Sequence, residues 1–197
     1  MKNSFKISAL ILAFAGLSFG AKAQTATTKT STSSDGVILS IGVDAGIPTG
    51  NLSNAYNWNL GGSVQADIPV ISQKLFVTVN AGYDNIFGKK NIAGTAVDVP
   101  NFQLLPVKAG LKYFIIPGFY VQGEAGAAFL LNKSDFEGNS SAAFIYAPQL
   151  GYQFHLSGKS FIDAGVRYEA STKFDSNVDN SKVNFVGLRI AYAFATK

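Results

Sequence analysis

Over eight separate stretches, the chain switches residue by residue between an apolar and a polar side. In the stretch 37–45 the odd positions are Val37, Leu39, Ile41, Val43 and Ala45, and the even ones include Ser40, Gly42 and Asp44. A period of two sends successive side chains to opposite faces of an extended strand. The pattern therefore predicts strands with one apolar and one polar face. No window carries the three-and-four apolar spacing of an amphipathic helix. After the N-terminal run, no apolar stretch approaches the ~20 residues of a spanning helix. The mature chain reads as all-β.

The spacing places strands near 37–47, 59–70, 75–86, 101–113, 119–131, 142–156, 160–171 and 183–195. Their apolar faces carry no charge: Leu75, Val77, Val79, Ala81 and Tyr83 in the third, Val186, Leu188, Ile190, Tyr192 and Phe194 in the last. Connections alternate in length. Long polar ones (48–58, 87–100, 132–141, 172–182) follow odd strands, and tight ones (71–74, 114–118, 157–159) follow even strands. Short periplasmic turns and long external loops on an even number of strands are the habit of bacterial outer-membrane barrels. The expected fold is an all-β, eight-stranded antiparallel up-and-down transmembrane β-barrel with both termini in the periplasm.

A soluble barrel would also alternate, with its polar face turned to water. Such an exterior should be rich in charge, yet only 14% of this chain is charged. The polar faces hold small residues instead, with at least one glycine to a strand: Gly42, Gly61, Gly82, Gly110, Gly126, Gly151, Gly165 and Gly187. Small residues suit the inside of a narrow barrel. Aromatics gather near strand ends, with Tyr113, Phe119, Tyr152, Phe154, Tyr192 and Phe194 at one level and Tyr83, Phe129, Phe144 and Tyr168 at the other. Two such girdles fit the two lipid–water boundaries. Pro106 and Pro148, inside predicted strands, each remove a ladder donor and predict bulges or positions near a rim.

The N-terminus reads as an export signal. Lys2 and Lys6 precede an apolar run over 7–19, and Ala21-Lys22-Ala23 supplies small residues at −3 and −1 of a cleavage site. The expected organisation is a signal peptide over 1–23, a disordered Thr/Ser-rich lead-in over 24–36, and the barrel over 37–197, located in the cell outer membrane. Lys2, Lys6 and Lys22 leave with the leader, so the formal charge of +4 falls to about +1. No basic cluster remains to bind nucleic acid. Without cysteine there is no disulfide, thiol nucleophile or lipidation site.

Several segments resemble the small outer-membrane β-barrel domain often labelled "porin family". They are GVDAGIPTGNLSNAYNWNLGGSVQADIPV (42–70), NAGY (80–83), PVKAGLKYF (106–114), FYVQGEAGAAF (119–129) and the ending VGLRIAYAF (186–194). The resemblance covers essentially the whole mature chain and implies an OmpX- or OmpA-like barrel inserted by the outer-membrane assembly machinery. It also implies a terminal aromatic as assembly signal; here Phe194 is followed by Ala195-Thr196-Lys197.

Charges on the polar faces are the candidate functional residues. Lumen phase is expected for Asp44, Asp67, Asp84, Glu124, Asp163 and Glu169 against Lys108, Lys112, Arg167 and Arg189, with His155 as a titratable addition. Counting along the strands puts Lys108, Glu124, Arg167 and Arg189 near one middle level and Asp67, Lys112, His155 and Asp163 near a lower one. Buried charges of mixed sign read as a structural network, because each must be paired. His155, Ser157 and Glu169 have the order of a lipid A deacylase triad, but Glu169 lies twelve residues up the strand from Ser157, far beyond hydrogen-bond reach. Asp35-Gly36 and Ser134–Gly138 lack the ligand series of a calcium loop. No catalytic, metal or cofactor site is expected. The expected role is envelope-structural or surface-interacting, with a narrow solute channel and a lipid A-modifying enzyme as alternatives. Expected partners are outer-membrane lipid, lipopolysaccharide and, during insertion, the assembly machinery. The residues specify no extracellular ligand.

Overall fold

The computed structural model describes residues 36–71, 74–90, 98–135, 141–156, 158–174 and 181–196. The expected signal peptide (1–23), the lead-in up to residue 35, Ser157, and parts of the second, third and fourth long loops lie outside the described residues.

Eight strands form one closed antiparallel barrel in chain order. They are β1 (Ile38–Pro48), β2 (Tyr56–Ile71), β3 (Leu75–Gly88), β4 (Phe102–Ile116), β5 (Phe119–Leu130), β6 (Ala142–His155), β7 (Ser160–Ser171) and β8 (Asn184–Ala195). Closure matters because hydrocarbon offers no partner for an unpaired backbone group. β1 closes the ring by pairing with β8 from Ile38–Ala195 to Pro48–Phe185.

The register sets the width. Following paired residues from Phe194 through Leu39, Ala66, Val79, Ala109, Ala125, Tyr146 and Ala170 returns to β8 at Asn184, ten residues from the start. With ordinary strand spacing and rise, that stagger over eight strands gives a tilt of about 40° and a backbone radius of about 8 Å. Inward side chains from opposite walls can therefore meet.

Exposure alternates as the sequence predicts. Outward residues include Ile41, Val43, Val79, Val107, Leu111, Leu150, Leu188 and Ile190, all solvent-accessible and apolar, with Ile41 at 62%. Their opposite-phase neighbours are buried and mostly polar. An apolar outside around a polar inside is the arrangement of a barrel in lipid. Tyr113, Tyr152, Phe154, Tyr192 and Phe194 are exposed near the short turns, and Tyr83, Phe129, Phe144 and Tyr168 near the loops.

Two features differ from the sequence reading. β2 and β3 extend further toward the loops, where Trp58 and Phe87 pair across the ladder and stack at 4.5 Å. Pro106 and Pro148 cause neither bulge nor rim position. The β3–β4 ladder skips Pro106 and the β6–β7 ladder skips Pro148, and both resume in the same register. Each missing donor costs a local bond while the alternation continues undisturbed.

Candidate functional site: the lumen

Buried apolar side chains cluster at both ends of the lumen. Near the short turns, Ile38, Phe76, Ala193 and Ala195 form a floor with Phe114 and Phe161 packed on it. Near the loops, Tyr56, Ile86, Phe102, Leu104, Ile145 and Phe185 form part of a roof. Long loops complete this roof: Leu52 comes from a short helix (Leu52–Ala55) after β1, and Phe174 and Val183 come from the β7–β8 connection. Phe174 is fully buried and meets Phe102 edge-on at 5.3 Å.

Between floor and roof lies a polar core. In its lower tier Lys112 bridges Asp67 at 2.6 Å and Asp163 at 3.2 Å, with its ammonium 4.5 Å from the centre of the Tyr120 ring. Asp163 also accepts hydrogen bonds from the Tyr120 hydroxyl (2.6 Å) and Gln153 (2.8 Å), while Gln149 donates to Tyr120 at 2.7 Å. Glycine makes room for this. A Cβ on Gly151 would lie 2.3 Å from the Tyr120 ring, and one on Gly165 3.0 Å from its hydroxyl. Tyr120 thus crosses a wall from which two side chains have been removed.

The tiers above are linked through arginine. Arg189, fully buried, donates from Nε to Ser63 (2.9 Å) and from Nη2 to Ser40 (3.0 Å), and its Nη1 lies 3.9 Å from Asp163. Ser63 donates to Asp44 at 2.6 Å, and Asp44 lies 2.7 Å from Arg167. Arg167 reaches Glu169 at 3.7 Å, and Glu169 is also paired with Lys108. Thr78 donates to Glu124 at 3.1 Å. Charged hydrogen bonds in a desolvated space are strong when complete and costly when broken.

Ten of the eleven residues expected to face the lumen, Asp44, Asp67, Asp84, Glu124, Asp163, Glu169, Lys108, Lys112, Arg167 and Arg189, are buried inside the barrel. His155 is not. It has lumen phase but is the last residue of β6, beyond the floor, where it is exposed. Its Nε2 lies 3.1 Å from the Gly158 carbonyl, and its ring meets Phe161 edge-on. The two-level grouping also changes: Arg189 joins the levels, and Arg167 and Glu124 take different partners. The apolar floor and roof were missed, although their signal was present as large apolar residues at inward positions of strand ends.

The deacylase-like triad is not assembled. His155 pairs with Phe161 at the start of β7, so Glu169 lies roughly 25 Å further along that strand. Its carboxylate is turned inward onto Lys108 and Arg167. Ser157 lies outside the described residues, as do Asp35 and most of Ser134–Gly138. Among the described residues, no group of three or more His, Asp or Glu side chains is placed to hold a metal.

No protein-family model and no curated protein matches this sequence. Solved structures do match in fold. The outer-membrane protein Ail of Yersinia pestis, in a phospholipid bilayer nanodisc, aligns with a TM-score of 0.53 at 20% identity over 81% of this chain and 99% of that one. The crystal structure of Ail, the attachment invasion locus protein, aligns at 0.50 with the same identity and coverage. Neisserial surface protein A aligns at 0.53 and 15% identity over 84% of this chain and 99% of its own.

Proposed function

The chain folds as a small eight-stranded outer-membrane barrel, and from that fold we propose that it acts from its surface, as a non-conducting scaffold presenting four loops outside the cell. The supporting observation is the filled lumen. An apolar floor, a bonded polar core and an apolar roof lie in series along a bore only about 8 Å in backbone radius. A solute path would have to break all three. The roof also ties two loops to the barrel, since Leu52 and Phe174 are anchored in it. Anchoring lowers the entropy lost when a loop engages a partner. Surface interaction or envelope support suits such a design.

The proposed lumen network is structural: it holds the barrel together and carries out no chemistry. Its envelope partners would be lipid and lipopolysaccharide around the apolar belt. A paired comparison in cells tests the reading. Replacing the long loops by short turns, with Leu52 and Phe174 kept, should abolish surface phenotypes while the barrel still inserts. Lys108→Met with Glu169→Gln should leave those phenotypes intact. The opposite outcome, loss only when the lumen is changed, would refute the proposal.

A further inference from the structure

Beneath the roof is a small cavity, lined by Asp44, Asn59, Asp84, Arg167 and Gly187 among others, with room for about one water-sized body. Glycines shape it. A Cβ on Gly46 would fall 2.4 Å from the Asn59 Oδ1, and one on Gly61 2.3 Å from the Asp84 Oδ1, so both side chains fill space that a larger residue would take. Gly187 is part of the cavity wall itself. The polar groups around this space are incompletely bonded among the described residues. Asn59 is fully buried, and neither its Oδ1 nor its Nδ2 has a hydrogen-bond partner. Arg167 stands 2.7 Å from Asp44 as an ion pair, yet its Nε and Nη2 make no hydrogen bond. Buried polar groups are rarely left this way.

The lining selects the occupant. A guanidinium offers hydrogens, for which a metal cation has no use, and the Asp44 and Asp84 carboxylates offer lone pairs, which repel an anion. The space admits about one heavy atom. Only a small neutral molecule that donates and accepts at once suits such a wall, and water in buried sites makes about three hydrogen bonds. We infer that the cavity binds a single water molecule, accepting from the Arg167 guanidinium and donating to the Asp84 carboxylate, with the Asn59 amide as third partner. The direct ion pairs of Arg167 reach Asp44 on β1 and Glu169 on its own strand. The water extends that bonding from β7 to β2 and β3, bracing the bore immediately below the roof. The inference rests on the closed lumen, because floor and roof keep this molecule apart from bulk water.

The test is magnetisation transfer from water to side-chain N–H groups, measured by NMR on the mature, folded barrel in lipid nanodiscs. Wild type should give cross-peaks to a long-lived water at the Arg167 Nε–H and the Asn59 amide. None should appear at the Gln153 amide, which bonds Asp163 in the lower tier. Gly187→Ala places a methyl in the cavity wall, its Cβ 3.1 Å from the Ala45 carbonyl, and should abolish both cross-peaks by displacing the water. Absence of both from wild type would overturn the bound water and leave the closed lumen standing. Cross-peaks at Gln153 as well would overturn both, since the lumen would then be hydrated throughout. Persistence of the peaks in Gly187→Ala would also overturn the site. Should Gly187→Ala fail to fold, density in wild-type crystals decides: one ordered peak within hydrogen-bond distance of Arg167 and Asn59 supports the site, and none there rejects it.

Discussion

Lys112→Met is the sharpest probe of the polar core. Methionine keeps most of the aliphatic stem and removes the ammonium. That ammonium is about 1% exposed and bridges two carboxylates, Asp67 and Asp163, from the face of Tyr120. The carboxylates fare unequally after its loss. Asp163 keeps Tyr120, Gln153 and the nearby Arg189, whereas Asp67 keeps the Gln65 amide at 2.6 Å. Breaking a buried pair by deleting one partner costs about 3–5 kcal/mol, because the remaining charge stays desolvated. Adding Asp67→Asn removes that charge, so the double variant should recover a large part of the loss. Urea unfolding in detergent or vesicles measures both. Trp58, the single tryptophan, reports it by fluorescence from its stack on Phe87. A Lys112→Met cost below about 1 kcal/mol, or no recovery in the double variant, would refute the view that paired charge holds this tier together.

Val79→Arg and Val107→Arg, on the outward face, should each cost about 2–4 kcal/mol of folding stability in lipid; stability unchanged in both would mean the apolar belt does not face hydrocarbon. Gly151→Ala should lower the unfolding midpoint by forcing Tyr120 off Asp163, a cost of about 1–3 kcal/mol for an overpacked interior, and a neutral result would show that Tyr120 is not fixed there. Mass spectrometry of the membrane fraction should find an N-terminus at Gln24; an intact Met1 would contradict cleavage after Ala23.

The strands were legible because the period of two continues through nearly every one of them, and the outward faces followed from it. Strand ends were less so. Trp58 and Phe87 read as the edges of long polar loops, yet the ladder continues past them to Tyr56 and Gly88. Inward charges could be recognised by phase, but their partners depend on a ten-residue stagger that strand patterns do not encode. That stagger sets Lys108 against Glu169 and carries Arg189 down to Asp163. Phase also misleads at a rim, as His155 illustrates: once the floor of Ile38 and Phe76 has closed the bore, a residue of inward phase meets solvent. The roof depends on Phe174, a loop residue whose burial no strand periodicity could announce.

Conductance of the purified barrel in planar bilayers tests the closed lumen most directly. Wild type should show no large, stable channels. Removing the middle charges alone, as in Arg167→Ala with Glu124→Ala, should leave it closed, because floor and roof remain. Steady wild-type channels passing small solutes would contradict the account and make the barrel a pore.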